Sequence, residues 1–196
     1  MSDPETLSVY AARAAEYDTL VGSDAPSSDM QRFIDMVTPG GRVLDIGCGP
    51  GAAAGFMAAA GLQAEAWDPV PEMLAMAAAR PGVTARQAGY DDLTALGIYD
   101  GIWANFSMLH TPLARWPAQF AAVHRALTPG GLFHFGTKLG TGEARDSIGR
   151  LYSYMDAAGL KALLADTGFA LEFDRTGEEA GLSGEVAPFI ILQARA

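Results

Sequence analysis

The chain has 196 residues, 49% of them hydrophobic and 18% charged, which suits one globular domain with a sizeable core and excludes a disordered chain. Thirteen scattered Lys and Arg against 23 Asp and Glu give a net charge of −10, which excludes the basic surface needed to neutralise nucleic-acid phosphates. A single cysteine, Cys48, excludes an internal disulfide and points to the cytoplasm, and three histidines without ligand spacing give no metal site.

The N-terminus Met1-Ser2-Asp3-Pro4-Glu5 is acidic, lacks an apolar run and so does not read as a secretory signal. Apolar residues at helical spacing predict a helix over residues 7–21, with Tyr10 and Tyr17 on one face. After a polar break, Ser27 or Ser28 caps a helix running to about Val37, and Pro39-Gly40-Gly41 ends it before a first strand, residues 42–46. Glycines at 47, 49 and 51 then lead into a helix over residues 52–60. The uncharged stretch 46–64 is long enough for a membrane span, but its glycines, Pro50 and alanines read as a loop and a buried helix, so no membrane partner is expected. A strand over 64–67 ends at Asp68, a helix over 71–79 opens on proline, and strands follow at 83–87 and 99–105. A helix over 113–127, the turn Pro129-Gly130-Gly131 and a strand over 132–137 complete the alternation. The tail reads as a helix over 156–167 and two strands, 169–175 and 187–194, too closely spaced for a helix between them. The fold class is therefore α/β: a Rossmann-like, doubly wound sheet of seven strands, six parallel and one reversed in a C-terminal edge hairpin, with helices on both faces. It forms one domain over 1–196, in which residues 1–38 supply helices covering a cleft and residues 39–196 the core.

The chemistry begins at Val43-Leu44-Asp45-Ile46-Gly47-Cys48-Gly49-Pro50-Gly51. A strand feeding a glycine turn and a helix start lets bare backbone approach a nucleotide-like ligand. Asp45 at the strand tip would repel a pyrophosphate and welcome a ligand with cationic groups, such as S-adenosylmethionine. Cys48 reads as a small residue in a tight turn, since no His or Lys adjoins it to make a thiolate. Asp68 stands 21 residues after Gly47, the spacing at which a carboxylate accepts from ribose hydroxyls; it also suits a helix cap before Pro69.

These stretches resemble the motifs of the class I S-adenosylmethionine-dependent methyltransferases. Residues 43–51 look like the first motif, Ala66-Trp67-Asp68-Pro69 with Glu72-Met73-Leu74 like the second, Asp92-Leu93 and Tyr99-Asp100-Gly101-Ile102-Trp103 like the third and fourth, and Ala126-Leu127-Thr128-Pro129-Gly130-Gly131 like the turn before strand five. The likeness implies an enzyme that takes S-adenosyl-L-methionine and leaves S-adenosyl-L-homocysteine. It implies a cofactor site of Asp45, Gly47, Cys48, Gly49, Gly51, Asp68, Pro69 and Met73, with Asn105 and Phe106 at the methionine end. Relatives often carry an Asp for the adenine amine at the position of Gly89; here Asp91 or the Tyr90 backbone stands in. The chain also looks loosely like small bacterial enzymes of the tellurite-resistance group.

By the same likeness, the acceptor lies between the N-terminal helix and residues 138–154, a long segment with three cations and two tyrosines. One reading is a small acceptor with an anionic or electron-rich group, held by Lys138, Arg145 or Arg150 and boxed by Tyr10, Tyr17 and Tyr152. The other is that Arg145 and Arg150 only pair with Glu143 and Asp146. His110 either takes a proton from the acceptor or packs a loop, while His124 and His134 read as structural. Two other functions remain open: a non-catalytic S-adenosylmethionine-binding module, and a nicotinamide-dependent oxidoreductase, since Gly47, Gly49 and Ala52 also fit a loose G-x-G-x-x-A pattern. The sequence leaves open monomer or homodimer, and the identity of the accepting atom.

Overall fold

The computed structural model describes residues 3–94 and 96–196; Met1 and Ser2 of the acidic N-terminus, and Ala95, lie outside the described residues. Period-two alternation on the central strands sorts their side chains to two faces. On β1 (Arg42–Ile46) Val43 faces one way and Leu44 and Ile46 the other; on β4 (Tyr99–Asn105) Trp103 opposes Ile102 and Ala104; on β5 (Leu127–Lys138) Leu132 opposes Phe133 and Phe135. The Val43–Trp103 face packs against Met30 and Phe33 of α3 (Ser28–Met36) and Ala54 and Met57 of α4 (Ala52–Ala59). The opposite face packs against Trp116, Phe120 and Val123 of α6 (Trp116–Ala126) and Leu160 and Leu164 of α7 (Ala157–Asp166).

With β2 (Gln63–Asp68), β3 (Val83–Gln87), β8 (Ala170–Ala180) and β9 (Val186–Arg195), the seven-stranded sheet has the order β3-β2-β1-β4-β5-β9-β8. β9 runs antiparallel to both neighbours, so it is the one reversed strand, and β8 closes the edge hairpin, as the sequence implied. Between α4 and β3, α5 (Pro71–Ala78) opens on its proline.

Three segments depart from expectation. The helix expected over 7–21 starts earlier, at α1 (Pro4–Ala12), because Asp3 caps it by accepting from the Thr6 N–H at 2.9 Å; it then breaks at Arg13 (φ −117°, ψ 22°) before α2 (Ala14–Val21). Seven residues along a straight helix would separate Tyr10 and Tyr17 by about 10 Å; the break brings their rings edge to face at 5.2 Å. Within residues 138–154, β6 (Gly142–Arg145) and β7 (Leu151–Tyr154) pair as a second, two-stranded sheet rather than running as a loop. Pro129-Gly130-Gly131 bulges out of β5, between the pairs Tyr99–Leu127 and Gly101–Leu132. Among the described residues no helix is long and apolar enough to cross a membrane.

Candidate active site

The strand order reverses between β1 and β4, so a crevice opens over their carboxyl ends. The glycine turn is tied there by the N–H groups of Gly47 and Cys48, which both donate to Trp67 O at 2.7 and 3.0 Å. Gly47 has φ +70°, and a Cβ on it would stand 2.3 Å from Ser107 Cβ. Ser107 Oγ donates to Ile46 O at 2.8 Å, so the Tyr90 hydroxyl, 2.7 Å away, is the donor to Ser107. Thus the ends of β1 and β4 and the short 3-10 turn Tyr90–Asp92 lock together around bare backbone.

Two buried carboxylates face this turn. Asp68 accepts from the Gly49 N–H through Oδ2 and from the Val70 N–H through Oδ1, both at 2.8 Å, and so clamps the turn rather than capping α5. Asp45 Oδ2 accepts from the Ala54 N–H at 3.1 Å, one of the otherwise unpaired donors in the first turn of α4. Burial raises Asp45 to about 7 and Asp68 to about 6. Burial also pushes the Cys48 thiol up, which fits its reading as a turn residue and not a nucleophile.

Three concavities meet above these groups. The first, about 590 Å³, is bordered by Gly47, Gly49, Asp68, Pro69, Met73 and Tyr90, and the second by Asp45, Cys48, Gly49, Met30, Trp103 and Asn105. The third, about 840 Å³, is bordered by Lys138, Arg150, Tyr152, Leu109, Glu179 and Leu182. Tyr17 borders all three; Asn105 borders the second and third; Tyr10, Phe106 and His110 border the first and third. Phe106 has φ +51°, alone among the described non-glycine residues in being positive, and its N–H donates to Gly136 O at 2.8 Å. Such a conformation costs on the order of 1–3 kcal/mol in a bulky residue and collects at functional sites.

Residues 43–131 match the family model for a methyltransferase domain. These residues form a methyltransferase domain. The match is to a general domain and does not single out the tellurite-resistance group. No curated protein matches the chain in sequence. A solved S-adenosylmethionine-dependent methyltransferase from Methanosarcina mazei is 18% identical, with 87% of this chain and 97% of that chain covered and a TM-score of 0.75. The 1,6-didemethyltoxoflavin-N1-methyltransferase of Burkholderia thailandensis, solved with 1,6-didemethyltoxoflavin and S-adenosylhomocysteine, is 19% identical, with 100% and 91% covered and a TM-score of 0.71. The [4+2]-cyclase SpnF is 17% identical, with 100% and 98% covered and a TM-score of 0.74. At these identities the structures attest the fold.

Most residues singled out in the sequence converge on the three concavities; Gly51, Asp91 and Arg145 do not. Gly51 (φ +76°) is the N-cap of α4, and a Cβ on it would stand 2.6 Å from Ala77 Cβ, so it serves the close approach of α4 and α5. The Asp91 carboxylate is 2.5 Å from Arg115 Nη2, on a separate depression beside α6. Arg145 pairs with Asp3 at 2.9 Å and Glu5 at 3.3 Å, not with Glu143, and ties β6 to α1.

Arg150 borders the third concavity, but its donors are already engaged. Nε and Nη2 donate to Asp146 Oδ2 at 3.0 and 2.8 Å, and Nη1 donates to the Tyr10 hydroxyl at 2.7 Å. The Leu151 carbonyl, 2.6 Å from His110 Nδ1, can only accept, so the proton sits on Nδ1 and Nε2 accepts from the Tyr10 hydroxyl at 2.9 Å. Burial lowers His110 to about 4, which keeps it neutral, and raises Tyr10 to about 12.

His134, buried and stacked on Trp103 at 3.4 Å, orients a site residue. Gln193 Nε2 donates to Asp29 O and to His134 Nδ1, so His134 Nε2 donates to Asn105 Oδ1 at 3.1 Å. The Asn105 NH2 is left as the edge offered to the cleft. Gly136 clears the space, since a Cβ there would stand 2.2 Å from Asn105 Oδ1. Ser107, Gln193 and the β8–β9 turn residue Leu182 carried no signal in the sequence, because each matters through a partner far along the chain.

Proposed function

We propose that the enzyme moves the methyl group to a small-molecule acceptor by in-line displacement, with the donor lying across the first two concavities and the acceptor in the third. The observation that carries this is the meeting of the three spaces at Tyr17, and of the second and third at Asn105, with one carboxylate in each of the first two and the aromatic cage in the third. The site suits the donor: Gly47 and Gly49 let the turn close against Ser107 and Tyr17 while leaving bare backbone at the cleft, and each Asp68 oxygen keeps a lone pair for a ribose hydroxyl. Asp45 Oδ1 would meet the ammonium, and Pro69, Met73 and the Tyr90 backbone would flank the adenine. S-adenosylmethionine supplies a methyl carbon activated by its sulfonium.

The protein's part is chiefly to align. Fixing two reactants in line can supply about 7–11 kcal/mol of the barrier. His110 is too weak a base to add much at neutral pH, and although it borders the third concavity its accepting Nε2 is occupied by the Tyr10 hydroxyl. A proton entering on the Tyr10 oxygen would be balanced by transfer of the tyrosine's own proton to His110 Nε2.

Titration calorimetry with S-adenosylhomocysteine and with NADH, followed by turnover of S-adenosylmethionine with pooled small acceptors, tests the proposal. Saturable S-adenosylhomocysteine binding, no NADH binding and acceptor-dependent product formation are expected. NADH binding in competition with S-adenosylhomocysteine would overturn it.

A further inference from the structure

The third concavity contains a charge that no described residue pairs with in an ion pair. Lys138, on the last position of β5, is only 6% exposed, yet Nζ makes a single hydrogen bond, to the Glu179 carbonyl at 3.0 Å, and has no ion pair among the described residues. An ammonium has three donors, so two remain for whatever shares the cavity. Its other neighbours are the Phe106 ring, 5.7 Å from Nζ to the centroid, and the exposed side chain of Glu179, which acts only at a distance. A buried cation left this way is expensive unless a partner arrives.

The other groups around the cavity cannot be that partner. Arg150 is matched one to one by Asp146, His110 is neutral, and Tyr10, Tyr17 and Tyr152 are un-ionised because burial raises all three. Apart from the exposed Glu179 carboxylate at its border, which makes no ion pair with Lys138, the cavity carries one positive charge without a partner, set in a wall of Phe106, Leu109 and Leu182. Burial depresses Lys138; the Glu179 charge opposes this from a distance and the Arg150 charge adds to it.

We propose that the acceptor is a monoanionic, otherwise apolar small molecule of the carboxylic-acid class, anchored by its carboxylate on Lys138 Nζ with its apolar body against Phe106, Leu109 and Leu182. This rests on the methyltransferase reading above and assigns the anion-holding role to Lys138 rather than to Arg145 or Arg150.

The test uses the full chain saturated with S-adenosylhomocysteine, titrated with benzoate, phenylacetate, 4-hydroxybenzoate and hexanoate, each beside its primary amide. At least one acid is expected to bind at least about tenfold more tightly than its amide. Lys138→Met should abolish that preference and Lys138→Arg should keep most of it, with S-adenosylhomocysteine affinity unchanged in both, since Lys138 borders neither of the first two concavities. Equal binding of acids and amides, no binding of any acid, or a preference surviving in Lys138→Met overturns the proposal. Loss of S-adenosylhomocysteine binding by the wild-type chain would instead sink the broader reading, so the two failures are distinguishable.

Discussion

Asp45 and Asp68 share burial and a raised pKa, but their partners divide their work. Asp45 gives one oxygen to the start of α4 and keeps the other for the cleft, whereas Asp68 gives both oxygens to backbone N–H groups and can serve a ligand only through its second lone pairs. Asn at 68 would keep one accepting oxygen and turn an NH2 toward either the Gly49 or the Val70 N–H, donor against donor. With a charge-assisted bond worth about 1.5–3 kcal/mol, Asp68→Asn should weaken S-adenosylhomocysteine binding by roughly 10–100-fold in titration calorimetry; a loss below twofold would leave Asp68 as a turn clamp alone. Both carboxylates were legible because strand-tip position and the 21-residue spacing from Gly47 follow from chain geometry. The direction of a side chain across a turn does not. Gly51 obeys the same alternation as Gly47 and Gly49, yet its missing Cβ makes room for Ala77, and Asp91 lies one residue from Tyr90 yet turns to Arg115.

The β6–β7 hairpin shows the same limit for a whole element. Its glycines and charges read as a loop because the pairing partners, Gly142 with Tyr154 and Arg145 with Leu151, are not marked by any alternation of apolar residues. The break at Arg13 was likewise hidden, since the apolar spacing continues through it. Once folded, the hairpin's two arginines differ in kind. Arg150 is 1% exposed and shares a buried ion pair with Asp146, while its guanidinium lies 5.2 Å from the ring centroids of both Tyr10 and Tyr152. Removing it leaves a buried carboxylate unpaired, so Arg150→Met should cost about 3–5 kcal/mol. That corresponds to a fall in Tm of about 6–20 °C for a domain of this size. The double variant Asp146→Asn/Arg150→Met should recover much of the loss. Arg145→Ala removes only an exposed clamp and should leave Tm nearly unchanged in thermal scanning. If Arg150→Met were as mild as Arg145→Ala, the hairpin would not depend on the buried pair.

Across the whole molecule, four buried titratable groups work against one another. Asp45 and Asp68 are raised in the fold, to about 7 and about 6, so the stability they contribute is full below the unfolded carboxylate range and is lost as pH rises through those values. His110 and His134 are depressed, His110 to about 4, so their contribution is full above the ordinary imidazole pKa and is lost as pH falls below it. Near pH 5 the unfolded chain holds protons on the two imidazoles while the folded chain holds them on the two carboxylates, and between there and pH 8 both release them over nearly the same range. The counts nearly cancel, and for these groups the stability of the ligand-free protein should be nearly flat across that window. A bound ammonium and ribose favour ionised carboxylates and remove one side of the balance. Binding near pH 6 to 7 should therefore release protons, visible as a buffer-dependent enthalpy, and affinity should weaken on the order of 100-fold from pH 8 to pH 5 if the ionised form of Asp45 is required. Thermal scanning with and without S-adenosylhomocysteine checks the linkage directly. The ligand-bound Tm should climb from pH 5 to 8 while the ligand-free Tm stays level; parallel slopes would mean that neither carboxylate changes its protonation when the donor site fills.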